Sequence, residues 1–207
     1  MVKTTSILAV FVSVVLASGA PVAQAQDWGH DFRLSSTTFE NGAKQLPLVM
    51  IYPLTSCTSN GSVGLDQSPE LSWTDAPRHT RSFVVIMYDV TASFTHWGMY
   101  NISGMATGLP ANAGVAGSTA GTQVSNDFGD LSYDGPCPPT NFSPLAHDYV
   151  VTVYALDIEL PTLPTFGDFP PGPQALYHAL IAAGRDGQIL DSASIFGFYS
   201  AAVPPGP

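Results

Sequence analysis

Proline and glycine interrupt the body of this sequence so often that no long helix has room to form, and this limits the fold more than any other feature. There are 18 prolines and 19 glycines among 207 residues, with no internal repeat to account for them. Proline lacks a backbone donor and clashes with the helical turn before it; glycine gives up the most freedom when it is ordered. A chain so punctuated favours many short strands joined by turns and argues against coiled coils and helix bundles. Intrinsic disorder is excluded by the 45% hydrophobic content.

Three runs between the breaks are rich in β-branched and aromatic residues: Ser82 to Asp89, His96 to Ile102 and Tyr149 to Leu156. They are too continuous to alternate cleanly and read as buried central strands. Phe32 to Phe39 reads as a weaker strand, closed by the turn Glu40-Asn41-Gly42-Ala43, and Val49 to Tyr52 adds a candidate strand. Gly114 to Gly121 reads as a surface loop, and the proline-dense stretch Pro161 to Pro173 as an irregular connection. One helix stands out, Gln174 to Ala183, with Pro173 at its start and Gly184 at its end, as helix termini prefer. Ile189 to Tyr199 follows as a strand or a short helix. No domain boundary interrupts this order, so the expectation is one mainly β domain.

The first residues carry an address. Lys3 precedes the apolar run Ile7 to Ala17, and Ala23-Gln24-Ala25 has the small-x-small form of a signal-peptidase site. The run falls short of the roughly 18 apolar residues a membrane span needs. Residues 1–25 therefore read as a signal peptide and 26–207 as the mature domain, exported to the periplasm or the cell exterior and without a membrane span. Export changes how the two cysteines read. In an oxidising compartment Cys57 and Cys137 can pair; two buried free thiols are the alternative. No C-x-x-C motif supports redox catalysis or a cysteine-rich zinc site.

Charge narrows the partners. Six basic residues against sixteen acidic ones give a net charge of -10, which leaves too few cations to track nucleic-acid phosphates or to form a polybasic membrane patch. Charged residues make up 11%, where a typical domain carries roughly 25%. Three places still gather chemically capable side chains at strand ends: Asp89 closes one run, His96-Trp97 opens the next, and His147-x-Tyr149 opens the third behind the rigid turn Gly135-Pro136-Cys137-Pro138-Pro139. Sites are commonly built in loops at strand ends. Taken singly, each residue also fits a turn former or a partly buried polar group.

The order of these motifs resembles one family. Ser68-Pro69-Glu70-Leu71-Ser72-Trp73, then Thr80-Arg81-Ser82-Phe83, Asp89, His96-Trp97-x-x-Tyr100-Asn101-Ile102, the Gly135 to Pro139 turn, His147-x-Tyr149 and Tyr154-Ala155-Leu156-Asp157 are similar to the phosphatidylethanolamine-binding proteins, in their bacterial Raf-kinase-inhibitor-like branch. The resemblance runs from about Phe32 to Tyr199. It implies a large central β-sheet, a second smaller sheet and a helix near the C-terminus. It also implies a small anion pocket at one end of the sheet, for phosphate, a carboxylate or a phospholipid head group, whose residues here would be Asp89, His96, Pro136, His147 and Tyr149. Binding without catalysis is implied, with no cofactor and no metal.

Two departures stand out. The family's Asp-Pro-Asp-x-Pro reads Asp89-Val90-Thr91-Ala92-Ser93, and its Gly-His-Arg-Tyr reads Ala146-His147-Asp148-Tyr149. The resemblance thus implies a less rigid loop after Asp89 and less positive charge at the pocket mouth. Two rival readings remain at this level: inhibition of a protease or kinase through protein contact, and an enzyme using Asp89, His96 and His147 as a metal face or as an Asp–His base.

Overall fold

The computed structural model describes residues 31–204 and 206; the signal-peptide expectation for residues 1–25 lies outside the described residues. Among the described residues eight strands form two antiparallel sheets. The larger has the order β6-β4-β3-β7-β8, built from β3 (Ser82–Asp89), β4 (Phe94–Ser103), β6 (Thr122–Gln123), β7 (His147–Leu156) and β8 (Ile189–Tyr199). The smaller has the order β1-β2-β5, built from β1 (Arg33–Ser35), β2 (Leu71–Thr74) and β5 (Gly108–Leu109). The mainly β architecture with two sheets and one late helix matches the expectation. Among the described residues no helix is long and apolar enough to cross a membrane.

Alternation along the central strands builds a core on each face of the large sheet. Phe83, Val85 and Met87 of β3, with Tyr149, Val151 and Val153 of β7, face the small sheet and pack with Leu71, Trp73 and Leu34. Trp73 and Phe83 meet with ring centroids 4.9 Å apart. Val84 and Ile86 face the other way, onto Leu176 and Leu180 of the helix α1 (Pro173–Arg185). Both faces of β3 and β4 are therefore covered, which is why their sequences run on as apolar stretches.

Three expectations need correction. The strand expected over Phe32 to Phe39 stops at Ser35. Beyond it, Thr37 N–H donates to Glu70 Oε2 at 2.7 Å, Thr38 N–H to Ser36 Oγ at 3.0 Å, and Ser36 Oγ–H to the Glu70 carbonyl at 2.6 Å. Hydroxyls and one carboxylate replace the ladder there. Val49 to Tyr52 is not a strand: Leu48–Met50 is a 3₁₀ turn, because Met50 and Ile51 donate three residues back to Pro47 and Leu48. The helix runs two residues past Ala183, with Gly184 inside it. The left-handed position that stops it is Gly187, at φ +70°, and Gln188 N–H closes onto the Ala183 carbonyl at 2.8 Å. Pro173 opens the helix, as read from the sequence.

Ile189 to Tyr199 resolves as strand. Gly114 to Gly121 is a loop, although Gly114 is buried against Trp97 and donates to Ser68 Oγ at 2.9 Å. Cys57 and Cys137 form a disulfide that closes an interval of 80 residues, worth about 4 kcal/mol in the chain-entropy account.

Candidate functional site

β3 and β4 are joined by a four-residue turn, Val90 to Ser93, so Asp89 and Phe94 sit directly opposite one another. The pairing then slips: Tyr88 faces Thr95 while Met87 faces Trp97, leaving His96 as the extra residue of a β-bulge. A bulge re-aims the side chain it carries. Thr95 turns to the helix side, where its Oγ1 bonds the Tyr177 hydroxyl at 2.7 Å, and His96 turns to the inner face. Across β3, Asp89 pairs with Tyr149, and alternation along β7 brings His147 to the same side.

Asp89, His96, His147 and Tyr149 thereby line one cavity of about 160 Å³, closed by Ala92, Phe94, Phe128, Cys137, Pro138 and Pro139. The four polar residues are only 3%, 4%, 8% and 1% exposed, so their polar atoms are satisfied by one another, by the backbone or by what enters the cavity. Pro136, grouped with them from the sequence, is buried one residue behind the wall and accepts from Tyr52 N–H at 3.2 Å. Its neighbours Cys137 to Pro139 do the lining.

The hydrogen bonds orient both imidazoles. His147 Nδ1 lies 2.6 Å from Asp89 Oδ2, and Asp89 Oδ1 accepts from the backbone N–H groups of Thr91 and Ala92 at 2.9 Å each. His96 Nδ1 lies 2.7 Å from the Asp134 carbonyl, which can only accept. Each Nδ1 therefore carries a hydrogen. Each Nε2 is a lone pair when its ring is neutral and becomes a donor only once the ring is protonated. Burial holds the His96 imidazole below its ordinary proton affinity, and nearby His147 pushes the same way, against the Asp134 carbonyl and the charges of Asp89 and Asp127. Tyr149 sits between the rings, its centroid 5.3 Å from that of His96 and 6.4 Å from that of His147. Burial and the Asp89 charge push its phenol far up, so it stays a hydroxyl.

Behind His96, burial lifts the Asp134 carboxyl to about 6, helped by Asp66 and Asp130, while Asn126 Nδ2 donates to it at 2.6 Å. The described residues contain no group of three or more His, Cys, Asp or Glu placed to hold a metal ion.

The two departures look different in place. The turn after Asp89 has no proline, yet Asp89 itself ties Thr91 and Ala92 down, and Thr91 Oγ1 accepts from Asp148 N–H at 3.0 Å. Asp148 lies on the opposite face of β7 from His147 and Tyr149 and is outside the lining. Its Oδ1 is buried without a partner among the described residues. Sequence reading missed Phe94 and Phe128. Phe94 is two residues from His96 in a strand, a spacing that could have signalled it, whereas Phe128 arrives from a distant loop and stacks on Tyr52 at 5.6 Å.

The sequence model for phosphatidylethanolamine-binding proteins matches residues 35–200. The chain belongs to that family. The UPF0098 protein of Aquifex aeolicus is 35% identical over 168 residues, covering 79% of this chain and 85% of its own length. The UPF0098 protein YbcL of Escherichia coli K12 is 34% identical over 156 residues, covering 72% and 79%. The crystal structure of E. coli YbcL, described as a new member of the mammalian family, aligns with a TM-score of 0.62 at 27% identity over 82% of this chain and 98% of that one. A family homologue from Chlamydia trachomatis aligns with a TM-score of 0.61 at 27% identity, covering 83% and 98%. The matched region of this family member holds every residue that lines the cavity.

Proposed function

We propose that this protein is an exported, non-catalytic binding protein whose cavity takes a small oxyanion, free or as the phosphate or carboxylate of a head group, together with a proton. One observation carries the reading: both imidazoles of the cavity commit Nδ1 to an acceptor, so both free nitrogens become donors only on protonation. Neutral imidazoles offer an anion two lone pairs; a protonated one offers it a charge-assisted donor. A ligand that brings its own proton, such as a monoprotonated phosphate ester or an ammonium head group, meets the same need. Among the described residues the lining holds no serine or threonine and its cysteine is in a disulfide, so the Asp89–His147 pair has no aliphatic hydroxyl or free thiol to activate.

The test is titration calorimetry with sulfate, which stays fully ionised across the range, and with O-phosphorylethanolamine. Sulfate affinity is expected to rise as pH falls from about 8 to about 5.5, by up to roughly tenfold per unit where one proton is taken up. The sign follows from the bases involved. A lowered proton affinity at His96 means that its charge appears only toward the acid end of the range. His96→Ala and His147→Ala should each flatten the profile. A pH-independent affinity in the native protein, or one unchanged in both variants, overturns the reading. Phosphate released from O-phosphorylethanolamine would overturn its non-catalytic part.

Export rests on the leader-like residues 1–25 and is supported by the Cys57–Cys137 disulfide, a bond that persists outside reducing compartments. Amino-terminal sequencing of the chain recovered outside the cytoplasm should begin at Gln26. A full-length cytoplasmic chain contradicts it.

A further inference from the structure

We infer that the Cys57–Cys137 disulfide is a redox gate on the pocket, and this rests on the binding reading above. Cys137 is a wall residue of the cavity as well as half of the bond. Its partner Cys57 is fully buried in the core between the sheets, where the Tyr199 hydroxyl donates to its carbonyl at 2.7 Å. On the near side of Cys137 the chain is well held: Gly135 N–H donates to Asp66 Oδ1 at 2.7 Å and the Pro136 carbonyl accepts from Tyr52. On the far side it is not. From Cys137 to Ala146 no backbone-to-backbone hydrogen bond is formed among the described residues, and residues 139–146 are all exposed. Pro138, Pro139 and Pro144 have no N–H to offer. This stretch contributes Pro138 and Pro139 to the wall and leads directly into His147. The disulfide is its anchor.

A dithiol reductant opens the gate by ordinary exchange. One of its thiolates attacks a sulfur of the pair and forms a mixed disulfide, and the released cysteine takes up a proton. The second thiol then closes the reductant's own disulfide and frees the other cysteine. Two electrons and two protons pass to Cys57 and Cys137. Attack from the pocket side falls on Cys137 and expels Cys57 as a thiolate into apolar surroundings, which slows the step while the wall is closed. A ligand in the cavity covers that approach. By linkage, what favours the oxidised wall favours the ligand, and the ligand in turn favours the oxidised wall.

The experiment uses the oxidised full chain, dithiothreitol, sulfate near pH 6, and three readouts: calorimetric affinity, the rate of chymotrypsin cleavage after Phe142, and far-ultraviolet circular dichroism. Reduction is expected to leave the spectrum intact, to speed cleavage at Phe142, and to weaken sulfate roughly tenfold or more, as when the closed wall is populated a tenth of the time. Saturating sulfate should slow reduction, reoxidation should restore binding, and a Cys57→Ser/Cys137→Ser double variant should behave like the reduced protein. Unchanged affinity with unchanged cleavage overturns the gate, and so does collapse of the whole spectrum on reduction, which would make the bond a global staple. If the oxidised protein binds no sulfate, the anion reading fails, while the cleavage rate still decides whether the bond anchors the wall.

Discussion

Asp89→Ala is expected to destabilise the protein by about 3–5 kcal/mol, the range for removing one partner from a buried pair, and to change the pH profile of anion binding by releasing His147 from its fixed tautomer. Asp89 accepts three hydrogen bonds at 3% exposure, from His147 Nδ1 and from the N–H groups of Thr91 and Ala92. Alanine leaves His147 Nδ1–H buried without an acceptor, at a cost of about 1–3 kcal/mol, and frees the Thr91 and Ala92 N–H groups of an exposed turn, which water can partly satisfy. Partial relaxation of the exposed turn keeps the total below the sum. Asp89→Asn separates structure from electrostatics. Its carbonyl oxygen can still accept from Thr91 and Ala92, but its amide now donates toward His147 Nδ1. That forces the opposite tautomer, with hydrogen on Nε2, so His147 becomes a donor while neutral. Asp89→Asn should therefore lose about 1.5–3 kcal/mol, as for a hydrogen bond to a charged group, and bind sulfate with a flatter pH profile than the native protein. Urea unfolding and calorimetry measure both quantities. An Asp89→Ala variant as stable as native would show that the turn reorganises freely. A native-like profile in Asp89→Asn would show that the pH dependence does not run through the Asp89–His147 hydrogen bond.

What could be read from the sequence divides along physical lines. The three central strands were legible because burial on both faces leaves unbroken apolar runs, and Ser82–Asp89 matches to the residue. The same pattern was misleading at Val49 to Tyr52: an apolar run after proline reads as strand, but Met50 and Ile51 are buried from a 3₁₀ turn whose carbonyls serve the Tyr133 hydroxyl and Asp66 N–H. The weak strand after Phe32 failed because Ser36, Thr37 and Thr38 found Glu70, a partner 32 to 34 residues away that no local pattern contains. At the site, Asp89, His96, His147 and Tyr149 were each visible as polar residues at the ends of apolar strands, but their convergence came from resemblance and not from spacing. The device that completes it, the bulge at His96, depends on how two strands register and leaves no local mark in either. Cys137 was legible as half of a disulfide, and its second role as pocket wall follows only from where the turn lies.

The close approach that fixes that turn leads to the other large effect. A Cβ added at Gly135 would lie 2.0 Å from the Met50 carbonyl oxygen, 2.7 Å from Tyr52 N and 2.8 Å from the Ile51 carbonyl carbon. All three are backbone atoms of a buried segment, so no side chain can swing aside to make room. Gly135→Ala is expected to lose about 3 kcal/mol, the upper part of the usual range for overpacking. The strain also has a direction. Residues 50–52 and 135–136 must separate, which breaks the Tyr52-to-Pro136 hydrogen bond while the disulfide still joins Cys57 to Cys137. The wall residues Cys137 to Pro139 then shift relative to His96, whose Nδ1 is bonded to the carbonyl of Asp134 next to Gly135. Sulfate affinity should fall together with stability. Gly117→Ala serves as the control: its φ of +76° disfavours a side chain, but nothing lies within 4 Å, so it should cost only the 1–2 kcal/mol or so of a left-handed residue and leave affinity unchanged. If Gly135→Ala were no worse than Gly117→Ala, the packing of the turn against Met50 would not be what holds the pocket wall in place.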